Sequence, residues 1–208
     1  MASSDALQTS TVELATGAGP ARAEIDRPER PSFLLIMTHG AGGGVATKDL
    51  LAVRQAGLDR GGVVARVLQP YRVRGARAPG APGPQDAAWM EIVTALRLQY
   101  PGIPLVQGGR SNGARVACRT AAEAAARAVI ALAFPLHPPG RPEQSRADEL
   151  RGAGVKVLVV NGDRDPFGIP AAKDAARVVV VPGETHSLSK NPAAVGAAVG
   201  SWLDDVLA

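Results

Sequence analysis

The stretch Val106–Ala117, VQGGRSNGARVA, decides how the chain is read. A short apolar run meets a serine bracketed by glycines, and an alanine-rich amphipathic segment follows. Gly109-Arg110-Ser111-Asn112-Gly113 fits G-x-S-x-G at a strand-to-helix turn. The glycines have a steric reason, because side chains bracketing a strained turn would collide with neighbouring backbone. The turn also puts Ser111 at a helix N-terminus, where aligned amides favour developing negative charge. Alone, the motif is common, and Ser111 alone reads equally well as a helix cap. What surrounds it has to decide.

Upstream, "TVEL" and "ARAEID" flank "ATGAGP", the pattern of a hairpin between short strands. "SFLLIMT" is a continuous apolar run, the mark of a strand buried on both faces. The glycine-rich "HGAGGG" follows, then a helix from about Thr47 with Leu50, Leu51, Val53 and Leu58 on its apolar side. "GG" at Gly61 and Gly62 ends that helix, and "VVARVLQ" is the next strand. From Pro70 to Pro84 the chain is a Pro-, Gly- and Arg-rich loop without periodicity. Asp86 is placed to cap a helix whose core face carries Trp89, Ile92, Val93 and Leu96.

After "IPLVQGG" and the helical "NGARVACRTAAEAAA" come the strand "AVIALAF", a proline-rich segment and a short helix around "RADELR". "VKVLVVNG" and "RVVVVPG" are two more strands, separated by a helical "PAAKDAA". A last helix puts Val195, Val199, Trp202, Leu203 and Val206 on one face. Strand and helix alternate after the initial hairpin, so a doubly wound, mostly parallel α/β sheet is expected. No repeat or linker divides residues 1–208, which read as one domain with residues 1–10 flexible. Ligands of such sheets bind beyond the carboxyl ends of the strands.

Three further loops there carry chemistry. "NGDRDPFG" offers Asp163 and Asp165, and an aspartate in that loop can orient a histidine and stabilise its imidazolium. Asp165 precedes Pro166, which holds its backbone extended, whereas Asp163 is expected to close the loop by bonding to backbone. "PGETHSL" puts His186 after the last strand, where it can take the Ser111 proton. "HGAGGG" lacks the ending of a phosphate-binding P-loop and the spacing G-x-G-x-x-G. Its amides at Ala41 or Gly42, with that of Asn112, suit an oxyanion hole. Each signal has a plainer reading alone: loop-closing aspartates, a surface histidine, a flexible connector. Together, in the order Ser, Asp, His and each just after a strand, they read as a catalytic triad of Ser111, Asp165 and His186.

Composition narrows the rest. Aromatics make up 3% of the 208 residues, so the core is aliphatic and a wide aromatic platform is not expected. The net charge of +4 comes from arginines scattered among acids, without the basic runs of a nucleic-acid binder. "FLLIM" is too short to span a bilayer, and the N-terminus lacks a secretory pattern, so no membrane partner and a cytoplasmic location are expected. Three histidines and one cysteine, none at ligand spacing, imply no metal site. The lone Cys118, two turns into a helix, reads as packing.

"THGAGG", "QPYRVRG", "GGRSNGARVACR", "LAFPLHPPGRP" and "GDRDPFG", between Thr38 and Gly168, resemble a branch of the α/β-hydrolases related to dienelactone hydrolases. That branch includes a testis-expressed protein and a regulatory subunit of a histone acetyltransferase complex. The resemblance implies a compact α/β-hydrolase fold of about eight strands without a large cap, with Ser111 as nucleophile, Asp165 as acid and His186 as base. Dienelactone hydrolases proper carry a cysteine nucleophile, whereas this elbow carries serine. The expected function is cofactor-independent hydrolysis of a small ester or thioester through an acyl-enzyme on Ser111. The alternatives are acyl transfer on the same triad and a non-catalytic interaction module. Substrate contacts are expected from Tyr71, Arg72, Arg110 and His137, and the arginines of the loops suit an acidic substrate group. No oligomeric state is read from the sequence.

Overall fold

The computed structural model describes residues 7–208. Its eight strands are β1 (Gln8–Leu14), β2 (Ala21–Arg27), β3 (Phe33–Thr38), β4 (Gly62–Leu68), β5 (Leu105–Arg110), β6 (Ala128–Leu132), β7 (Lys156–Gly162) and β8 (Arg177–Val181). They form one sheet in the order β1-β2-β4-β3-β5-β6-β7-β8. β1 and β2 pair as the expected antiparallel hairpin, and β2 also runs antiparallel to β4. From β4 through β3 to β8 every pairing is parallel. Of the segment 1–10 expected to be flexible, residues 1–6 lie outside the described ones and residues 8–10 belong to β1.

The six helices are α1 (Lys48–Leu58), α2 (Pro70–Val73), α3 (Pro82–Gln99), α4 (Asn112–Thr120), α5 (Ala147–Arg151) and α6 (Pro192–Leu207). β3 is buried at all six positions, as its unbroken apolar run predicts. Its side chains alternate between two cores, because successive residues of a strand point to opposite faces. Leu34 and Ile36 pack with Trp89 and Ile92 of α3 and Val116 of α4. Phe33, Leu35 and Met37 pack with Leu50 and Val53 of α1 and Val195, Val199 and Trp202 of α6. All five apolar residues assigned to the face of α6 are buried.

Five local expectations change. Leu51 is 41% exposed, and the buried side of α1 is instead made by Asp49, Leu50, Val53, Ala56 and Gly57. The Pro70–Pro84 segment is not all loop: Pro70 opens the one-turn α2, and α3 begins at Pro82, both with proline in the first turn, where no amide hydrogen is needed. Asp86 therefore lies inside α3 rather than capping it, and pairs with Arg119 of α4 at 2.6 Å. The alanine-rich tail of α4 does not continue the helix. Ala125 turns to φ 48° and Arg127 N–H bonds Leu105 O, so the chain can enter β6. "PAAKDAA" keeps only a 3₁₀ turn at Ala172–Asp174. No helix of the described residues is long and apolar enough to cross a membrane.

The middle of the sheet is braced by one buried polar side chain. Gln107 of β5, four residues before Ser111, accepts the indole N–H of Trp89 at 3.1 Å. Its amide donates to Ala117 O at 2.8 Å and Thr120 Oγ1 at 3.1 Å, tying α3 and α4 to the strand. Gln107→Leu keeps the bulk but leaves the Trp89 donor and the Ala117 carbonyl unpaired, at about 1–3 kcal/mol for each group. For a chain of this size that corresponds to a loss of roughly 10 °C in Tm. Thermal unfolding followed by circular dichroism checks it, and an unchanged Tm would show that Gln107 braces nothing.

Candidate active site

β5 ends at Arg110 and α4 begins at Asn112, so the chain reverses its local geometry at Ser111, which sits at φ 53° and ψ −113°. Left-handed φ is rare for a residue with a side chain and costs free energy. The surrounding bonds hold it. Ser111 N–H donates to Leu132 O at 2.9 Å, and Ser111 O accepts from the amides of Ala114 and Arg115. The steric expectation for the bracketing glycines is met. A β-carbon on Gly109 would lie 2.5 Å from the Gly113 carbonyl carbon, and one on Gly113 would lie 2.6 Å from His39 O. Ser111 precedes the first helical residue, yet its hydroxyl caps nothing. It bonds His186 instead.

Ser111 Oγ lies 2.8 Å from His186 Nε2. His186 Nδ1 lies 2.9 Å from Asp165 Oδ2 and 3.1 Å from Oδ1. A carboxylate only accepts, so Nδ1 carries the proton and Nε2 is left to accept from Ser111. The Asp165 carboxylate is fully buried and is fixed by two more donors. Phe167 N–H bonds Oδ1 at 2.9 Å, and Asn161 Nδ2 bonds Oδ2 at 3.3 Å. Asp163 is exposed, and it is its backbone N–H, not its side chain, that closes the loop on Val181 O. The ring of Phe167 covers the imidazole of His186 at 4.4 Å between centroids. Neither Asn161 nor Phe167 figures in the sequence reading, although "PFG" follows the acid directly.

On the other side of Ser111 stands the turn Gly40–Gly43, closed by Gly43 N–H on Gly40 O at 3.0 Å, with Gly42 at φ 68°. A β-carbon on Gly40 would lie 3.1 Å from Ser111 Cβ, so the turn rests against the serine. The amides of Ala41, Gly42 and Asn112 donate to no acceptor among the described residues. For Asn112 this follows from its place as the first residue of α4. The turn is set by His39, which is fully buried. Its Nδ1 donates to Gly40 O at 2.8 Å, and its Nε2 accepts Gln69 N–H at 3.0 Å. Burial, with a smaller push from the Arg72 charge, lowers the imidazole to about 4, against the pull of the Gly40 carbonyl. A neutral ring fits both bonds.

The expected substrate contacts fall in different places. Tyr71 is buried edge-on to His39 at 5.7 Å, beside a cavity of about 90 Å³, and burial pushes its phenol up to about 12. Arg72 donates to Gly43 O at 2.9 Å and to Ala76 O at 3.0 Å, bracing the glycine turn. Arg110, expected to contact substrate, is bonded to the main chain of His186 and faces Asp49. Arg115 is paired with Glu149 of α5 at 2.6 Å. His137 is half-buried beside the acid's loop, its N–H on Phe167 O and its Nδ1 on Pro138 O. Cys118 is buried and burial drives its thiol far up, so it remains protonated packing. Among the described residues no three His, Cys, Asp or Glu side chains are grouped to hold a metal ion.

Several solved structures share this architecture. An α/β serine hydrolase without a lid from Xanthomonas campestris superposes with a TM-score of 0.71 at 20% identity, over 95% of this chain and 94% of that one. A dienelactone hydrolase from Anabaena variabilis gives 0.76 at 17% identity, over 96% and 98%. The esterase domain of a Rhodothermus marinus protein gives 0.73 at 18% identity, over 97% and 100%. These likenesses concern the fold. No curated protein matches the chain in sequence. The sequence model of the alpha/beta hydrolase domain, however, matches residues 31–193, a span that begins just before β3 and takes in Ser111, Asp165 and His186. By that match, and by a sheet with the antiparallel β2 at one side and no large cap, the chain belongs to the alpha/beta hydrolase domain family.

Proposed function

We propose that this protein is a serine hydrolase that cleaves a small carboxylic ester or thioester through an acyl-enzyme on Ser111. The observation that carries the reading is the unbroken chain from Ser111 Oγ through both nitrogens of His186 to the buried Asp165, assembled from three separate loops. In the proposed cycle Ser111 Oγ attacks the substrate carbonyl as its proton passes to His186 Nε2. Asp165 stabilises the resulting imidazolium, which then protonates the leaving alcohol or thiol. The amides of Asn112 and of Ala41 or Gly42 stabilise the oxyanion. Water, deprotonated by His186, attacks the acyl-enzyme and releases the acid. The cycle uses no cofactor.

Only residues 133–146 lie between β6 and α5, too little chain for a lid domain, which supports a shallow site of broad ester selectivity. Acyl transfer would use the same residues with another acceptor in place of water. An interaction module of the kind found in the resembling branch would need no acid–base chain, and the Ser111–His186–Asp165 geometry favours chemistry.

Labelling with a fluorophosphonate probe tests the reading. Wild type is expected to take the label and Ser111→Ala to lose it, with kcat on an activated ester falling by about 10⁴–10⁶. A folded wild type that takes no label would favour the interaction module. Label surviving in Ser111→Ala would mean another serine is the nucleophile.

The two aspartates separate sharply. Asp165→Asn removes the acceptor that fixes the tautomer of His186 and is expected to cost about 10⁴ in kcat. Asp163→Asn changes an exposed side chain and leaves kcat within about a factor of two. Steady-state kinetics on both folded variants checks this, and the opposite ranking overturns the assignment of the acid.

The segment 69–84 contains Arg72, Arg74 and Arg77 and no acid. Arg72 bonds the carbonyls of Gly43 in the glycine turn and of Ala76, Arg74 bonds that of Ala18 in the β1–β2 turn, and neither is paired with an acid among the described residues. This supports a preference for esters bearing an acidic group. A hemisuccinate is expected to exceed the matching butyrate in kcat/KM by about fivefold at low salt, the scale of an exposed ion pair. The advantage shrinks as salt screens it. Equal values at low and high salt would leave these arginines with no part in selectivity.

A further inference from the structure

The guanidinium of Arg110, the residue just before Ser111, is wedged among three segments from distant parts of the chain. Nη2 donates to the main-chain oxygen of His186 at 2.8 Å. Nε lies 3.0 Å from Asp49 Oδ2, at the start of α1. Nη1 stands so near Gly40 that a β-carbon there would lie 3.1 Å from it. Asp49 is fully buried, and its Oδ1 accepts the N–H of Leu50 at 3.0 Å. Burial pushes its carboxyl up, against the Arg110 charge that helps to hold it down. The Arg110–Asp49 contact is one of charge rather than a linear hydrogen bond, since neither facing atom has a well-aligned partner. Without the guanidinium, Asp49 would be a buried charge with no counter-ion.

We propose that Arg110, anchored by Asp49, is a positioning residue that fixes His186 against Ser111 for the reaction proposed above, on which this inference rests. β5 ends in Arg110 and presents Ser111 one residue later, so one strand end carries the nucleophile and also grips the backbone of the base. The other main-chain tethers of the His186 segment reach elsewhere. Arg164 N–H holds Glu184 O, and Leu188 N–H holds Thr185 O. The Glu184 carboxylate takes the amides of Lys190 and Asn191. Arg110 thus bonds His186 itself to the serine strand across 76 positions of sequence. A planar guanidinium serves acceptors in two directions at once, which a lysine ammonium on a flexible stem does not reproduce.

The alternative role, contact with a substrate carboxylate, makes a different prediction. A substrate-carboxylate contact would leave a neutral ester unaffected and, made equally in ground and transition states, would appear in KM for an acidic one, whereas a misplaced base lowers kcat on both.

Arg110→Ala and Arg110→Lys test this, with steady-state kinetics on a neutral activated ester and amide hydrogen exchange over residues 182–190 without substrate. For both variants kcat is expected to fall by about 10²-fold, the cost of a displacement near 1 Å. KM should stay within about a factor of two. Exchange over 182–190 should accelerate in Arg110→Ala, and free guanidinium at non-denaturing concentration should recover part of its kcat while doing nothing for Ser111→Ala. Unchanged kcat, a rise confined to KM, or unchanged exchange would each overturn the proposal. If Arg110→Ala does not fold, Asp49→Asn takes its place, since it keeps the side-chain size and removes the anchoring charge. A lower kcat at constant KM is expected there too, and an unaltered kcat counts against the proposal. Fluorophosphonate labelling of wild type runs alongside. Its failure defeats the hydrolase reading, and hydrogen exchange still decides whether Arg110 holds the His186 segment.

Discussion

Ser111 is held at φ 53° and ψ −113°, a conformation that costs a residue with a side chain about 1–3 kcal/mol. Much of the strand-end face is organised around maintaining it. The turn is tight enough that Gly109 and Gly113 nearly touch, and Gly113 in turn lies under the His39 carbonyl. α4 can therefore approach β5 only if Gly109 lacks a β-carbon, and the end of β3 only if Gly113 does. Leu132 O receives the Ser111 amide, so the end of β6 must also be in register. One strained residue thus couples the three central parallel strands, and the glycine turn after β3 is brought against the serine by the same close approach.

Burial of apolar surface supports the two cores but does not locate the loops, because loops expose backbone that must find partners. Here four buried polar side chains do that work. His39 joins the glycine turn to the end of β4. Asn161 takes Phe134 N–H at 2.9 Å and donates to Phe134 O, Asp165 and Gly168, joining β6 to the acid's loop. Asp49 faces Arg110 beneath the His186 segment. Glu184 is fully buried and accepts two amides at the approach to α6, where the helix dipole favours an anion. Each ties together segments far apart in sequence or closes a loop beside the serine. Loss of any one leaves buried polar groups unpaired rather than merely a smaller core.

What was legible in the sequence followed from period and order. β3 is an unbroken apolar run and is central; α6 repeats its apolar residues at helical spacing and buries all five. Ser111, Asp165 and His186 could be assigned to loops because each directly follows a strand, and strand ends are easy to see. α1 misled because a charged residue, Asp49, faces the core while Leu51 is turned outward, a burial that the Arg110 charge and the Leu50 amide help to offset. The stretch after Thr120 misled because alanine favours helix locally, whereas entry into β6 requires a turn. The roles of His39, Asn161, Phe167 and Arg110 were not legible at all. Each depends on a neighbour 19 to 76 positions away or on a backbone atom, and a linear pattern encodes neither.

The cost of the site bears on whether it works as an enzyme or as a surface. A strained serine opposes stability, in a chain whose net stability is only a small difference between large terms. An interaction module presents exposed side chains on a rigid frame and gains nothing from a left-handed serine or from an aspartate hidden behind a histidine. Asp165 in particular is useless for recognition, since its carboxylate is fully buried and saturated by His186, Phe167 and Asn161. On the side toward Ser111 its contact is the imidazole of His186. A strained serine whose hydroxyl is bonded to that imidazole is what the proposed proton transfer needs, and this geometry, more than the resemblance of folds, supports the proposed catalysis.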